Sequence, residues 1–282
     1  MDIARQREQA DAFRQLHDRT KILVLPNSWD AASAKIFETA GFPAVATTSS
    51  GVANSLGYPD GEVVPRDEMI AAIAHIARVL AVPLSADIES GYASDSESLG
   101  ATIRAVIDAG AVGINFEDGM HDGSHQLFPL DTAVARIKSV RAIADGAGVP
   151  IVINARTDVY LHAIGEQSSR FEHTVTRANA YLTAGADCAF VPGIADADTI
   201  GRVAAAIKGP INVMAVPGTP NAPQLQKLGV ARVSMGGGPA RAALTAVRRI
   251  AEQLMRDGSY SGFTSRDIIS HLEMNRLLSK KP

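Results

Sequence analysis

Short apolar runs alternate with longer amphipathic stretches along most of the chain. Runs with few polar side chains lie at 22–25, 44–48, 112–116, 151–155, 188–191 and 231–235, and two more follow Pro83 and Pro210. Such runs are typical of strands buried on both faces. Between them, apolar residues recur at spacings of three and four, which predicts helices over 31–39, 66–80, 96–109, 131–144, 171–184, 196–207 and 240–258.

Glycines mark the points where these helices give way to strands. Gly41, Gly110, Gly185 and Gly229 each stand between an amphipathic stretch and the apolar run that follows it. Glycine is favoured just after a helix, because the chain there often adopts a left-handed conformation. The chain therefore repeats one unit, a helix that ends on glycine and is followed by a buried strand.

Eight such strands, each separated by helical sequence, favour an α/β fold with a closed (β/α)8 barrel of the TIM type. The whole chain, 1–282, is then one domain, since barrels of this type often exceed ~250 residues. An open, doubly wound sheet is the alternative, but no Gly-x-Gly-x-x-Gly follows the first strand. An N-terminal helix (1–20) and a C-terminal helix (264–278) lie outside the repeat, and the latter packs either on its own barrel or on a neighbouring subunit.

Composition and charge exclude several classes of partner. The net charge is −3 and basic residues form no run, which argues against nucleic acid as a partner. No apolar run approaches the ~20 residues that a membrane span needs, and the N-terminus has no segment of signal-peptide type. The single cysteine, Cys188, rules out an internal disulfide and fits a reducing compartment. We expect a cytoplasmic protein that does not associate with membranes.

Charged side chains gather where the predicted strands end. Asp87 and Glu89 follow the strand after Pro83, Glu117 and Asp118 end the next strand, and Arg156 ends the one after that. Alternation along a strand puts Asp87 and Glu89 on the same side. In a parallel barrel all these strand ends lie at one face, together with Thr48, the Ser49-Ser50-Gly51 turn and the loop that carries Asp60.

Buried carboxylates of this kind need a neutralising partner, and a divalent cation is one. Oxygen ligands favour Mg²⁺, with Mn²⁺ as the alternative, over zinc. Because Mg²⁺ keeps several waters, we expect Asp87 to contact it directly and Asp60, Glu89 and Glu117 to hold its waters. Such an ion can chelate a 2-oxo acid and stabilise an enolate. Arg156 then binds a substrate carboxylate, and backbone N–H groups around Ser49, Ser50 and Gly51 form an oxyanion site.

Other polar residues have simpler explanations. Asp118 is interpreted as a turn or capping residue, and Arg156 has Asp158 as an alternative partner. His121 and His162 lie in or near loops and are expected to be exposed, whereas His125 lies over the proposed mouth and is the candidate for moving protons. Cys188 is interpreted as a core residue, and the run from Met235 to Pro239 as a turn that is not part of the site.

Several motifs together resemble the isocitrate lyase/phosphoenolpyruvate mutase superfamily. They are Asn-Ser-Trp-Asp at 27–30, Thr-Ser-Ser-Gly at 48–51, Gly-Tyr-Pro-Asp at 57–60, Asp-Ile-Glu-Ser-Gly-Tyr at 87–92, Gly-Ile-Asn-Phe-Glu-Asp at 113–118 and Asn-Ala-Arg-Thr-Asp at 154–158. The resemblance implies a (β/α)8 barrel whose terminal helix is exchanged between subunits of a dimer or tetramer. It also implies Mg²⁺ and a small 2-oxo acid substrate. In the family, the position of Asp87 contacts the metal and those of Asp60, Glu89 and Glu117 hold its waters. The positions that hold the 2-oxo acid are those of Ser49, Ser50, Gly51 and Arg156.

The sequence departs from this family at two places. Its metal motif reads Asp-x-Glu rather than Asp-x-Asp. The loop after Asp118 contains neither the Lys-Lys/Arg-Cys-Gly-His of lyases that cleave isocitrate or 2-methylisocitrate nor the Asp-Lys…Pro-Lys-x-x-Ser of phosphonopyruvate enzymes.

We therefore expect a Mg²⁺-dependent lyase or decarboxylase of a small 2-oxo or 2-hydroxy di- or tricarboxylate, either oxaloacetate-like or methylisocitrate-like. Its catalytic candidates are Asp60, Glu117, Arg156 and His125. Two alternatives stay open: an enzyme of carbon–phosphorus bonds, in which Asp60 lies near the transferred group, and a barrel that binds 2-oxo acids without catalysis.

Overall fold

The computed structural model describes residues 3–124, 126–264 and 268–279. Nine parallel strands form one sheet in the order β1-β9-β8-β7-β6-β5-β4-β3-β2. The strands are β1 Leu23–Leu25, β2 Asn27–Ser28, β3 Val45–Thr47, β4 Leu84–Asp87, β5 Gly113–Glu117, β6 Val152–Arg156, β7 Cys188–Val191, β8 Ile211–Met214 and β9 Arg232–Ser234.

The sheet closes into a barrel because its two edge strands are consecutive in the chain. β1 pairs with β9 and β2 pairs with β3, and only Pro26 separates β1 from β2. Proline has no N–H to donate to a neighbouring strand, but its carbonyl still accepts a hydrogen bond from Ala46 N at 2.8 Å. The predicted (β/α)8 barrel is thereby confirmed, with the first of its eight strands divided in two.

The helices surround the outside of the barrel, and the first of them closes one of its ends. Within the described ranges they are α1 Ile3–Gln15, α2 Ala31–Thr39, α3 Ser49–Leu56, α4 Arg66–Ala77, α5 Ser96–Asp108, α6 Leu130–Gly146, α7 Arg170–Thr183, α8 Ala197–Ala206, α9 Ala222–Lys227, α10 Gly238–Asp257 and α11 His271–Ser279, with short 3-10 turns at Gln167–Ser169 and Ser261–Phe263. None of these helices is long and apolar enough to cross a bilayer.

The glycine pattern has the conformation that the sequence predicts. Gly41, Gly110, Gly185 and Gly229 all have positive φ, between 86° and 112°. A residue with a side chain is strained in this region, so glycine ends each helix at little cost. The chain then turns directly into the next buried strand.

The first helix closes the end of the barrel where the strands begin. Phe13 of α1 is completely buried, and a Cβ added at Gly113 would lie 2.6 Å from its ring. Gly113 is the first residue of β5, so its lack of a side chain lets α1 pack against the strand. The opposite end, where the strands finish, is left open for a site.

The C-terminal part of the chain leaves apolar side chains uncovered. Leu244, Val247 and Met255 of α10 are 53%, 59% and 88% exposed, and Leu272 of α11 is 73% exposed. Within this one chain α11 packs against α2. Residues 265–267 of the predicted helix 264–278 lie outside the described residues. Exchange of this helix between subunits stays a prediction.

Candidate active site

Asp87 is the last residue of β4, and the start of helix α3 holds its carboxylate. Its Oδ2 accepts hydrogen bonds from Ser49 N at 2.9 Å and from Ser49 Oγ at 3.0 Å. A helix N-terminus favours a negative charge, because its first N–H groups have no partners within the helix. Asp87 Oδ1 is buried and has no hydrogen-bond partner among the described residues. One carboxylate oxygen is therefore fixed, and the other is available to a ligand.

Residues 49–51 begin helix α3, whereas the sequence analysis placed them in a turn. Ser50 lines the cavity described below, and its Oγ lies 3.1 Å from Thr48 Oγ1. Gly51 is buried, and a Cβ there would meet Thr48 and Trp29 at 2.6 and 2.9 Å. Its backbone packs closely on its neighbours, and it does not line the cavity. Ser49 N is already used by Asp87, so it is not part of an oxyanion site.

Glu89 reaches the site through a turn rather than by strand alternation. β4 ends at Asp87, and Glu89 has φ of 52°, a left-handed conformation that is strained for a residue with a side chain. Its two oxygens accept hydrogen bonds from Tyr92 OH at 3.0 Å and from Glu62 N at 2.6 Å. Burial and the neighbouring Glu117 raise the pKa of Glu89 to about 8.

Arg156 contacts two carboxylates at the end of β6. Its Nη1 lies 2.6 Å from Glu117 Oε2, and its Nε donates to Asp158 Oδ1 at 2.6 Å. Glu117 and Arg156 are directly opposite each other in the β5–β6 ladder. Burial raises the pKa of Glu117 to about 7, against the opposing effect of Arg156. The guanidinium of Arg156 thus contacts both Glu117, a predicted site residue, and Asp158, its alternative partner.

His121 is exposed as a residue, as expected for a loop histidine, but its imidazole belongs to the acidic cluster, which the sequence did not predict. Its Nε2 lies 2.7 Å from Glu117 Oε1, and its Nδ1 lies 3.9 Å from Glu89 Oε2. Burial disfavours the charged imidazole, but the hydrogen bond and charge of Glu117 raise the pKa of His121 to about 9. One oxygen or nitrogen from each of these three side chains lies within 4.8 Å of the others, a grouping that can hold a metal ion.

Asp60 stands on the loop after α3 and completes the acidic set. The residue as a whole is exposed, but its carboxyl group is partly enclosed at the cavity. This enclosure and the charge of Asp87 raise the pKa of Asp60. Asp60 therefore lies where the sequence analysis placed it, over the strand ends.

The site residues line two lobes of one depression at the carboxyl ends of the strands. A lobe of about 230 Å³ contains Asp87, Asn115 and Phe190, and a lobe of about 420 Å³ contains Glu89, Glu117 and His121. Both lobes share Ser49, Asp60, Arg156 and Leu161. A larger cavity of about 510 Å³ lies elsewhere, beside residues 15–24 and 40–43, away from this acidic cluster.

The glycine run after β9 also reaches the cavity, contrary to its interpretation as a simple turn. Asn27 Oδ1 accepts hydrogen bonds from Met235 N and Gly236 N at 2.7 and 3.0 Å. A Cβ at Gly237 would lie 2.6 Å from Ser50 Oγ and 2.8 Å from Arg241 Nη1. Arg241 lines the first lobe as a second arginine that the sequence analysis did not identify.

The remaining candidates fall outside the cavity or outside the described residues. Asp118 accepts hydrogen bonds from Asp158 N at 3.0 Å, Tyr181 OH at 2.5 Å and Arg177 Nη1 at 3.1 Å, which fits its interpretation as a structural residue. Cys188 is completely buried, and burial raises the pKa of its thiol to about 12. His125, the predicted proton carrier, lies outside the described residues.

The donor set fits a hard divalent cation. Asp87 Oδ1 is a buried carboxylate oxygen without a partner in the described chain, while both oxygens of Glu89 and both of Glu117 already have contacts. Asp87 Oδ1 could therefore bind such an ion directly. Mg²⁺ usually takes only one or two carboxylates as direct ligands and keeps several waters.

The fold and site define a barrel with a cluster of acidic side chains at its strand ends, which can hold a metal ion. The phosphoenolpyruvate phosphomutase family model matches residues 13–255, so the chain belongs to the isocitrate lyase/phosphoenolpyruvate mutase superfamily, whose members cleave carbon–carbon or carbon–phosphorus bonds. The family resemblance of the sequence motifs is thereby confirmed, and the chain is an enzyme of this superfamily.

Three relatives show the range of the family. A solved structure from Burkholderia cenocepacia J2315, provisionally named a phosphonomutase, is 41% identical, with a TM-score of 0.83 over 87% of this chain and 100% of that one. The 2-methylisocitrate lyase of Escherichia coli K12 is 30% identical over 71% of this chain and 67% of its own. A phosphonopyruvate hydrolase solved with oxalate and Mg²⁺ is 23% identical, covers 95% of this chain and 94% of its own, and shares the fold with a TM-score of 0.82.

Proposed function

We propose that the protein is a Mg²⁺-dependent lyase that breaks a carbon–carbon bond of a small 2-oxo or 2-hydroxy acid next to a nascent pyruvate enolate. The observation that carries this proposal is the buried oxygen Oδ1 of Asp87, which has no partner in the described chain, in a residue that lines the same cavity as Arg156. A cation site beside a carboxylate-binding arginine matches the two ends of a 2-oxo acid. When bound, Mg²⁺ supplies a Lewis acid at the 2-oxygen.

The side chains divide the remaining work between binding and orientation. Arg156 binds the substrate carboxylate, while Glu117 and Asp158 hold its guanidinium in one orientation. The N–H group of Ser50, in the first turn of α3, stabilises negative charge on a substrate oxygen. Asp60, Glu89 and Glu117 hold the metal's waters. Leu161 and Phe190 line the cavity and exclude bulk water from the reacting bond.

The first lobe offers a place for a second anionic group. Arg241 of α10 and Gly237, the N-cap of this helix, line this lobe together with Asp87. A dicarboxylate fits these two positive ends, with the 2-oxo acid at Arg156 and the distal carboxylate at Arg241. This supports an oxaloacetate-like or methylisocitrate-like substrate over a monocarboxylate.

Carbon–phosphorus chemistry is the second candidate. The 41% identical Burkholderia relative carries a phosphonomutase name, and a phosphonate at Arg241 would satisfy the same positive groups as a carboxylate. Asp60 would then stand near the transferred group. The two candidates differ in substrate, since only an enzyme of carbon–phosphorus bonds acts on phosphonopyruvate.

The experiment is a turnover assay with oxaloacetate, 2-methylisocitrate and phosphonopyruvate, each with Mg²⁺ and with chelator. We expect metal-dependent pyruvate formation from one of the two carboxylates and none from the Asp87→Asn variant. Turnover of phosphonopyruvate alone would favour the second candidate. Activity that survives both the chelator and Asp87→Asn would contradict the proposed site.

We further propose that residues 1–282 form one domain that works as a homodimer or homotetramer in the cytoplasm. The exposed apolar side chains of α10 and α11 support the association, because monomers rarely leave such a face open to water. The exchange of the terminal helix would cover this face. Manganese is expected to replace magnesium, since both accept the same oxygen ligands.

A further inference from the structure

Arg232 is a buried cation with no ion-pair partner among the described residues. It lies on β9 and is completely buried. Its Nη2 donates to Asn115 Oδ1 at 3.1 Å, its Nη1 lies 3.4 Å from His17 Nε2, and its guanidinium carbon lies 6.0 Å from the centre of the Phe13 ring. No carboxylate of the described chain lies within ion-pair distance of it. Burying a charge in this way costs stability, which calls for a functional explanation.

The guanidinium stays charged in this environment, and its neighbour His17 is neutral. Burial lowers the pKa of Arg232 only to about 10. Burial and the charge of Arg232 lower the pKa of His17 to about 4. His17 Nδ1 lies 3.0 Å from Phe13 O, so it is the donor nitrogen, and Nε2 accepts from Arg232. Arg232 therefore carries the positive charge of this pair, and His17 carries none.

The contact with Arg232 fixes the orientation of Asn115. An arginine only donates hydrogen bonds, so the amide atom that faces it is the oxygen. The same oxygen also accepts from Asn154 Nδ2 at 2.7 Å. Both lone pairs of Asn115 Oδ1 are then used, and its NH2 group finds no acceptor among the described side chains. Asn115 lies opposite Asp87 in the β4–β5 ladder and lines the same lobe of the cavity.

We propose that Arg232 is a positioning residue that acts on the substrate through Asn115. It holds Asn115 with the NH2 group toward the cavity and polarises it, so that Asn115 Nδ2 donates a hydrogen bond to an anionic oxygen of the bound acid. A hydrogen bond is stronger when its donor is polarised by a neighbouring cation in a low-dielectric interior. The inference rests on the proposed function, because it requires an anionic oxygen beside Asp87.

The test compares ligand affinity with stability in variants of Arg232. Oxalate with saturating Mg²⁺ is the probe, because it is a planar dianion like an enolpyruvate. We expect Arg232→Met to weaken the oxalate Kd roughly tenfold, since it removes the charge and the hydrogen bond to Asn115. The melting temperature without ligand should stay the same or rise, because the variant buries no unpaired charge. If Arg232 were only structural, Arg232→Met would leave the oxalate Kd unchanged and lower the melting temperature.

Two further variants separate charge from hydrogen bonding. Arg232→Lys keeps the cation, and we expect its oxalate Kd to stay within about threefold of the wild type. Arg232→Gln keeps a donor for Asn115 without the charge and should weaken binding nearly as much as Arg232→Met. These two variants decide the question if Arg232→Met does not fold.

The control is Ser85→Ala on β4. Ser85 is another polar side chain inside the barrel, with a buried Oγ that lacks a partner in the described chain, and it does not line the cavity. Its oxalate Kd should not change. Oxalate binding by Arg232→Met or Arg232→Gln equal to that of the wild type would overturn the inference and leave the proposed function standing. No oxalate binding by the wild type would contradict the proposed function, and the inference with it.

Discussion

Ser49 donates two hydrogen bonds to one oxygen of Asp87, from its backbone N and from its Oγ. This double contact holds the carboxylate so that Oδ1 points away from α3 with no partner in the described chain. Ser49→Ala removes one of the two donors, and we expect it to weaken Mg²⁺ binding by ~10- to 100-fold, as is typical for residues that orient a metal ligand. Asp87→Asn should abolish binding.

The measurement is a calorimetric titration of Mg²⁺ in the presence of oxalate. Ser55→Ala is the matched control, because Ser55 lies on the same helix and its Oγ donates only to Val52 O. Equal Mg²⁺ affinities for Ser49→Ala and Ser55→Ala would show that Asp87 needs no such support.

Arg156→Lys tests whether the guanidinium is needed for its shape or only for its charge. A lysine keeps the charge but cannot contact Glu117, Asp158 and a substrate carboxylate from one planar group. We expect kcat/KM to fall by ~100-fold or more, mainly through weaker carboxylate binding. Arg156→Gln should in addition lower the free energy of unfolding by about 3 kcal/mol or more, because it removes the cation that contacts two buried carboxylates, Glu117 and Asp158. Near wild-type kinetics for Arg156→Lys would exclude a two-pronged contact.

Gly237→Ala tests whether the glycine run forms part of the site. The added methyl group would lie 2.6 Å from Ser50 Oγ and 2.8 Å from Arg241 Nη1, so both side chains must move. We expect KM for a dicarboxylate to rise by roughly tenfold, while the backbone, with φ of −73°, accepts alanine without strain. Gly238→Ala is the matched control, because nothing lies within 4 Å of its Cβ position. Identical kinetics of the two variants would remove Arg241 and Ser50 from substrate binding.

His17 makes the stability of the fold depend on pH. Its pKa is lowered in the folded protein to about 4, whereas the unfolded chain has the ordinary value of 6.5. Below pH 6.5 His17 binds a proton in the unfolded chain but stays neutral in the folded one. The contribution of His17 to the free energy of unfolding is therefore complete above this pH and falls as the pH drops toward 4. The loss is on the order of 3 kcal/mol at pH 4.

We expect His17→Gln to flatten this part of the pH profile. Urea unfolding at pH 7 and at pH 4.5 measures the difference for both proteins. If the variant loses as much stability as the wild type between these two pH values, His17 is not the group responsible.

The exposed face of α10 predicts association between chains. Leu244→Glu combined with Val247→Glu should shift the protein toward monomers, because it places charges on a face that we expect to be buried between subunits. Sedimentation velocity measures the change. Ile3→Glu is the control, because Ile3 is similarly exposed at 54% but lies on α1. A wild-type protein that sediments as a monomer would contradict the proposed oligomer.

The hydrophobic pattern predicts much of this architecture because a closed barrel repeats one simple unit. The buried strands are mostly apolar, and four of the strands follow a helix that gives way to a glycine with positive φ, namely Gly41, Gly110, Gly185 and Gly229. Once the strands are identified as parallel, their carboxyl ends meet at one face, which places Asp87, Glu117 and Arg156 in one site. The strand boundaries alone are enough to predict that these three residues lie together.

The features that the sequence analysis missed depend on contacts rather than on periodicity. Helix α3 has only eight residues, Ser49–Leu56, too few to show a clear apolar stripe. His121 joins the cluster because the chain after Glu117 folds back, with Gly119 bridged to Leu127. Its spacing of four residues from Glu117 was visible in the sequence, but no pattern distinguishes it from an exposed loop histidine. The place of Arg241 in the cavity is not visible in the sequence, because it depends on the space that Gly237 leaves beside it.

Asp118 and Phe128 mark the two ends of the loop that carries His121 into the second lobe, and both are hydrogen-bonded to the rest of the barrel. Phe128 N donates to Asp118 O at 2.8 Å, and Arg177 of α7 donates both to Asp118 Oδ2 and to Phe128 O. A segment whose two ends are joined in this way can change in length and composition without disturbing the strands below it. The barrel therefore carries this loop as an exchangeable part, and new reaction specificities can be tried by transplanting loops from related enzymes between these two residues.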